Sequence, residues 1–190
     1  MPVPRDERLW FPGTVYSITA AGASGRTLFP DEKDYKQYVY LLAKVINTTK
    51  LDLHAYCLLP DSIHLLAEST YVSISTIMRE LHASYAMHYR RHYETGGSVF
   101  QARYHSELLP DETSFFEQSR RIHLLPSEKL DHPYPGTYRW CSARDYLAPQ
   151  PEYAPRHPFL SLERTLAFFP SPRHEYFHRF LYHTSVTQTH

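Results

Sequence analysis

Hydrophobic and polar positions follow two different periods along the first third of the chain. Residues 14–20 alternate in the two-residue period of a strand, and a loop rich in Gly and Ser follows. Residues 35–46 repeat apolar side chains in the helical period, and Asp31 is placed to cap that helix. Two apolar runs, 53–59 and 63–66, flank a Pro-Asp-Ser turn and predict two strands joined tightly. This part of the chain is therefore predicted to fold as β-α-β-β.

The same periods continue along the middle of the chain. Residues 74–93 carry an apolar stripe behind a cap at Ser73 and predict a second helix. Residues 99–109 alternate and predict a fourth strand. A third helix is predicted over residues 111–124, ended by Pro126. The order β-α-β-β-α-β-α indicates an α+β, ferredoxin-like fold, with an antiparallel four-stranded sheet and helices on one face.

The chain changes character after residue 125. Residues 126–158 are rich in proline and predict an extension on the surface, and residues 159–182 predict two short helices split at Pro170 and Pro172. We therefore divide the chain into a ferredoxin-like domain over 1–125 and an extension over 126–190 that belongs to the same compact unit.

Charge and composition limit the classes of function. The chain has 20 Lys and Arg and 20 Asp and Glu, so no overall charge attracts nucleic acid, and any such site must be a local patch. The two cysteines, Cys57 and Cys141, form no disulfide framework and fit a reducing cytosol. No signal-peptide pattern or membrane-spanning run is present in the sequence, and we expect a cytoplasmic protein without a cofactor.

Short motifs in a fixed order give the chain a family resemblance. The turn between the second and third strands reads Pro-Asp-Ser-Ile-His-Leu-Leu, and the fourth strand begins Phe-Gln-Ala-Arg-Tyr. The complete set of matching segments is 12–19, 28–34, 60–66, 100–104, 120–126 and 138–143. Together they resemble the single-tyrosine HUH transposases, in particular the REP-associated kind. The resemblance implies the ferredoxin-like fold and a homodimer.

The resemblance also implies a particular chemistry. In that family a tyrosine attacks a DNA phosphate, while two histidines and a polar residue one helical turn after the tyrosine hold a divalent metal. When the resemblance is carried over position by position, the position of the nucleophile holds Arg121 and that of the polar ligand holds Leu125. The position of the first metal-binding histidine holds Ser62. Of these groups, His64 alone remains. The reacting groups are replaced while the scaffold motifs persist, which predicts a fold kept for something other than strand cleavage.

Several side chains remain open between a functional and a structural interpretation. His64 is either a residual metal ligand or a hydrogen-bonded structural histidine. Arginines at the predicted helix ends either bind phosphate or lie on solvated faces, where Arg121 can pair with Glu117. The aromatic side chains Phe100, Tyr104, Phe115 and Phe116 either stack bases or pack in the core. The candidate nucleic-acid contacts are Arg90, Arg91, Gln101, Arg103, Arg120 and Arg121.

The function that we expect is that of a catalytically inactive, domesticated transposase-like protein. It would bind single-stranded or hairpin DNA, or structured RNA, as a regulator, because recognition of folded strand ends needs no metal. One alternative is an active metal-dependent transposase or nuclease with a displaced site. Another is a protein–protein adaptor without nucleic acid, which the zero net charge favours.

Overall fold

The structure is a computed structural model that describes residues 10–147 and 157–183. Its strands are β1 Thr14–Ala21, β2 Asp52–Leu59, β3 Ser62–Ser69 and β4 His105–Leu108. Its α-helices are α1 Glu32–Thr49, α2 Ile74–Tyr93, α3 Glu112–Leu130, α4 Ala143–Leu147, α5 Glu163–Leu166 and α6 Arg173–Tyr182. Short 3-10 turns lie at Ala23–Gly25 and Pro135–Thr137. In these described ranges, no helix is long and apolar enough to cross a membrane.

The helix starts follow the capping signals of the sequence. The Asp31 carboxylate accepts hydrogen bonds from the backbone N–H groups of Lys33 and Asp34, and the Asp34 side chain accepts one from the Asp31 backbone. Ser73 accepts a hydrogen bond from the backbone of Thr76 at the start of α2. Both predicted caps are confirmed, because each satisfies backbone donors that the first helical turn leaves free.

The sheet has the strand order β2-β3-β1-β4, with every neighbouring pair antiparallel. This order confirms the α+β, ferredoxin-like fold class. Helices α1 and α2 cover one face, as the β-α-β-β-α-β pattern predicts. Helix α3 packs against β2 and β3 on the other face, so the sheet is covered on both sides along that half. The first face buries Ile18 and Leu65, and the second buries Val15 and Leu66.

The turn between β2 and β3 consists of Pro60 and Asp61 and is held by a neighbouring loop. The backbone N–H of Gly22 donates to the Asp61 carbonyl at 2.9 Å, and that of Leu28 donates to the Pro60 carbonyl at 2.7 Å. A Cβ atom on Gly22 would lie 2.0 Å from the carbonyl oxygen of Arg26, so only glycine fits there. The loop therefore fixes the end of the hairpin that carries the family motif.

The predicted fourth strand is too long. Strand β4 covers only His105–Leu108, paired with residues 16–19 of β1. Phe100 forms an isolated bridge with Gly22, and residues 101–103 then bend away from the sheet. Alternation in the sequence predicts two faces, yet Ala102 is exposed because residues 101–103 form a bend and do not continue the pleat of the strand.

The third helix does not end at Pro126. Helix α3 continues through that proline to Leu130 and ends at Asp131, which adopts a left-handed conformation and donates its backbone N–H to the Pro126 carbonyl. A proline removes its own N–H donor from the helix, but Pro126 is buried here, next to Leu125 of the hydrophobic cluster on the α3 face. Tertiary packing thus overrides the local helix-ending signal.

The proline-rich segment is more deeply packed than a surface extension. Cys141 faces Cys57 as an isolated antiparallel partner, between hydrogen bonds from Leu58 N to Trp140 O at 2.9 Å and from Ser142 N to Tyr56 O at 3.0 Å. This pairing covers the outer edge of β2 with backbone partners. Cys141, Ser142, Ala143 and Tyr146 are buried.

The C-terminal helices form where the sequence predicts them. Helices α5 and α6 are separated by a segment that contains Pro170 and Pro172, which confirms the expected split. Phe177 and Leu181 of α6 are fully buried and belong to the same hydrophobic cluster as Phe115 of α3. The division of the chain at residue 125 stays a prediction, and residues 148–156 and 184–190 of the predicted extension lie outside the described residues.

Candidate nucleic-acid interface

Cross-strand register brings polar side chains into one row on the face that α3 partly covers. Thr19 of β1 lies opposite His64 of β3 on one side and His105 of β4 on the other. Directly opposed residues of an antiparallel sheet point to the same face. Two residues further along β1, Ser17 lies opposite Glu107 of β4. We use the name polar groove for the site formed by Ser17, Thr19, Ser62, His64, Gln118 and Arg121.

His64 is held by two hydroxyl groups at the floor of the polar groove. Its Nδ1 lies 3.4 Å from Thr19 Oγ1, and its Nε2 lies 3.4 Å from Ser62 Oγ. Ser62 in turn donates to the carboxylate of Asp61 at 3.0 Å. Ser62 occupies the position that the resemblance assigns to a second histidine. It therefore links the His64 ring to Asp61 in the turn.

Burial is the main cause that lowers the pKa of His64 to about 4. The positive charge of Arg121 lowers this pKa further, Asp61 opposes that effect, and Lys129 adds a smaller lowering. His64 is consequently a neutral ring at pH 7, able both to donate and to accept a hydrogen bond. Arg121 and Lys129 of α3 therefore lie within electrostatic range of His64.

Helix α3 is joined to the floor of the groove through Gln118. Its Nε2 donates to Ser17 Oγ at 2.7 Å, and Ser17 itself is buried. Gln118 stands three positions before Arg121, so the two side chains share one side of the helix. The sequence analysis did not identify Gln118 as a residue of this site. Its helical spacing from Arg121 was an available signal, but nothing in the sequence identified Ser17 as its hydrogen-bond partner.

Arg121 occupies the exposed rim of the polar groove. Among the described residues it takes part in no ion pair, and the predicted alternative pairing with Glu117 is not observed. Its neighbour Arg120 points elsewhere and donates from Nε to the backbone carbonyl of Phe180 at 2.8 Å. Arg120 therefore anchors α6, whereas Arg121 has a guanidinium available at the groove.

The donors of the polar groove do not fit a divalent cation. Leu125 is buried in the apolar cluster and offers no ligand atom. Among the six residues that define the groove, His64 is the one imidazole, and the described residues contain no cluster of three His, Cys, Asp or Glu side chains suited to a metal. The positive charges of Arg121 and Lys129 beside His64 also oppose a bound cation.

The other candidate contacts lie at different places. Gln101 and Arg103 are exposed on the bend before β4, and Gln101 N donates to the carbonyl of Ala21, at the end of β1 that pairs with Ser62. This bend is therefore a rim of the same groove. Arg90 and Arg91 are exposed at the end of α2, a helix on the opposite face of the sheet, and Arg90 Nε donates to the Gly97 carbonyl at 3.3 Å.

The aromatic candidates are core residues and do not form one ladder. Phe100 and Tyr104 are buried with α1 and α2, whereas Phe115 is buried on the other face. Phe116 packs its ring 4.3 Å from that of Phe168 beside α6. No tyrosine lies on α3, and the hydroxyl of Tyr138 donates to the Leu58 carbonyl at 2.9 Å.

Comparison with known proteins agrees with this geometry. Residues 15–114 match the family model described as "Transposase IS200 like". A solved structure of a REP-associated tyrosine transposase bound to a REP hairpin has a similar fold, with a TM-score of 0.63 and 14% identity over 75% of this chain and 85% of that chain. A crystal structure of a Deinococcus radiodurans R1 protein described as a transposase has a TM-score of 0.45 and 20% identity over 57% of this chain and 88% of that chain. A search of curated proteins finds no match.

Because the family model covers more than half of the 190 residues, this chain belongs to the IS200-like transposase family, the single-tyrosine HUH group that its motifs resemble.

Proposed function

We propose that this protein is a catalytically inactive, domesticated member of its family that binds a DNA hairpin, single-stranded DNA or structured RNA in the polar groove and acts as a regulator. The observation that carries the proposal is the exposed Arg121 beside a neutral His64, on a family scaffold whose reacting positions have been replaced. A guanidinium at the nucleophile position keeps affinity for phosphate but does not attack it.

The chemistry of the groove supports binding without cleavage. An arginine contacts two phosphate oxygens at once, and the Ser17 and Thr19 hydroxyls and the His64 ring add neutral hydrogen-bonding groups behind it. The six residues of the groove include no tyrosine and no donor set for a metal, the two requirements of the family reaction. The fold match to a transposase bound to a hairpin makes folded single strands the first probes to test.

A gel-shift series tests the binding. We expect the full chain to shift a hairpin or a single strand at low salt, and Arg121→Ala to weaken this binding. Loss of one phosphate contact is expected to lower the slope of log affinity against log salt by about 1. Arg79→Ala is the matched control, because Arg79 is an exposed arginine on α2, on the opposite face of the sheet.

The same samples separate the alternatives. Incubation with Mg²⁺ or Mn²⁺ is expected to give no nicked strand and no covalent protein–DNA adduct. A metal-dependent adduct would instead show an active enzyme with a displaced site. Absence of any shift with hairpin, single strand and duplex at low salt would reject nucleic-acid binding and favour a protein–protein adaptor, in keeping with the zero net charge.

Two further features belong to the proposal. We expect a homodimer, which sedimentation of the purified chain measures directly. A cytoplasmic location fits the two neighbouring free thiols, Cys57 and Cys141, both of which are buried.

A further inference from the structure

A stack of three aromatic rings leads from the core to the surface beside α1. The ring of Phe29 lies 4.5 Å from that of Tyr35, and the ring of Tyr35 lies 4.7 Å from that of Trp140, with 12° between the latter two planes. The guanidinium carbon of Arg139 is 5.0 Å from the centre of the Trp140 ring. Planes of this kind, both aromatic and guanidinium, are the surfaces on which unpaired bases stack.

The outer end of this stack lines a cavity of about 300 Å³. Lys36 and Tyr40 of α1 line it together with Arg139, Trp140 and His157. The Tyr40 side chain is 63% exposed although it is large and aromatic. The cavity is at the lower end of the size range of ligand pockets, about 300 to 1,000 Å³. It therefore combines two aromatic side chains with two permanent cations in a volume suited to a single small group.

The charge around this cavity suits an anion. The Glu32 carboxylate lies 2.7 Å from Lys36 Nζ and 2.8 Å from Arg139 Nη1, so a single acid is shared by two cations. All three side chains are about half exposed, and ion pairs of this kind exchange partners at little cost. One positive charge remains uncompensated among these three groups, available to a phosphate.

We propose that this cavity, called here the Trp140 pocket, binds one nucleobase together with its phosphate. The base stacks on the Arg139–Trp140 end of the aromatic stack beside Tyr40, and Lys36 or Arg139 contacts the phosphate. The inference rests on the proposed function for its source of ligand, a single-stranded segment next to the structure that the polar groove holds. A free nucleotide has the same chemistry and is distinguished below.

The Trp140 pocket and the polar groove adjoin the same end of the sheet. Burial raises the pKa of Tyr35, and the carboxylate of Asp61 contributes to this rise. The same carboxylate accepts the hydrogen bond of Ser62 at the floor of the groove. The backbone N–H of Phe29, the inner ring of the stack, donates to the Pro60 carbonyl at 3.1 Å, and Pro60 and Asp61 form the turn before Ser62. The stack lies on the α1–α2 face of the sheet and the groove on the α3 face, so a strand that contacts both must pass around this end of the sheet.

Fluorescence of a single tryptophan tests the pocket directly. The chain has two tryptophans, Trp10 and Trp140, so Trp10→Phe leaves Trp140 as the reporter. We expect a single-stranded tetranucleotide to quench this fluorescence in a saturable manner. Nucleoside monophosphate in a parallel titration identifies the source of the ligand: quenching by the strand alone indicates a strand site, and quenching by both indicates a nucleotide site.

Matched variants test the same site by affinity. Tyr40→Ala is expected to weaken binding of a hairpin with a single-stranded extension by about tenfold, within the range of one lost base stack. Lys36→Ala is expected to weaken the same binding because it removes a phosphate contact, and to lower its salt dependence. Tyr71→Ala and Lys44→Ala are the controls, because they remove an exposed tyrosine and an exposed lysine that do not line the pocket. A hairpin without the extension should bind all these variants equally.

The outcomes separate this inference from the proposed function. If Arg121→Ala weakens the blunt hairpin while the extension adds no affinity and Trp140 is not quenched, the pocket proposal is wrong and the groove proposal stands. If Trp140 is quenched although no hairpin or duplex shifts, the pocket binds nucleotides and the groove proposal fails. Quenching that is identical in Tyr40→Ala and the parent would also contradict the pocket.

Discussion

At the residue scale, the protein buries histidines in their neutral, singly protonated form. His123 is fully buried, with Nε2 2.8 Å from Ser142 Oγ, and burial lowers its pKa to about 3. Burial likewise lowers the pKa values of His64 and His82 to about 4. In the unfolded chain these histidines have the ordinary pKa of about 6.5. Between that pH and their lowered folded-state pKa values, the unfolded state therefore binds more protons than the folded state. The contribution of these histidines to the unfolding free energy is therefore full above about pH 6.5 and is lost as the pH falls towards their folded-state pKa values.

The His123 contribution can be measured. In His123→Gln, we expect the loss of unfolding free energy between pH 7 and pH 5 to be smaller than in the parent by about 2 kcal/mol, because the glutamine takes up no proton. Urea unfolding at the two pH values measures it. His92→Gln, at an exposed histidine, should retain the parental pH dependence. An unchanged pH dependence in His123→Gln would refute the assignment.

At the element scale, the hairpin that carries the family motif depends on a loop that is distant from it in sequence. The backbone of Gly22 donates to Asp61, and that of Leu28 donates to Pro60. Both hydrogen bonds hold the turn between β2 and β3, so the positions of Ser62 and His64 depend on a close approach of two backbone segments. The conformation of the turn in the family motif thus depends on Gly22, which lies outside the motif.

This dependence predicts a contrast between two glycines. Gly22→Ala places a methyl group 2.0 Å from the backbone carbonyl of Arg26 and is expected to destabilise the fold by about 1–3 kcal/mol or more. Gly96→Ala has open space and should change stability little. Chemical denaturation of both variants makes the comparison. Equal stability of the two would show that the loop adjusts freely and does not hold the turn.

At the scale of the whole molecule, the C-terminal helices complete a second core. The ring of Phe177 stacks on that of Tyr146 at 4.8 Å and lies 5.7 Å from that of His123. Arg120 donates to the α6 backbone, and Arg164 pairs with Glu68 of β3. Helices α5 and α6 are thereby joined to α3 and to the sheet.

This second core predicts another contrast. Phe177 is fully buried, and Phe177→Ala is expected to cost about 3–5 kcal/mol in unfolding free energy. Phe168 is 58% exposed, and Phe168→Ala should cost much less. Thermal or urea unfolding distinguishes them. A small loss for Phe177→Ala would mean that α6 detaches without disturbing the domain.

The sequence by itself determined the order of the elements along the ferredoxin-like domain, the fold class, the caps at Asp31 and Ser73 and the family motifs, whereas the replacement of the reacting groups stays a prediction. These features are local, because a hydrophobic period, a cap or a motif is contained in a few neighbouring residues. Tertiary structure decided the length of α3 beyond Pro126, the short β4 and the hydrogen bond from Gln118 to Ser17. It also decided the stack of Tyr35 on Trp140, residues far apart in the chain. Such contacts depend on which faces of the helices and strands pack together. A local sequence pattern does not identify them, because their residues are neighbours only in the folded chain.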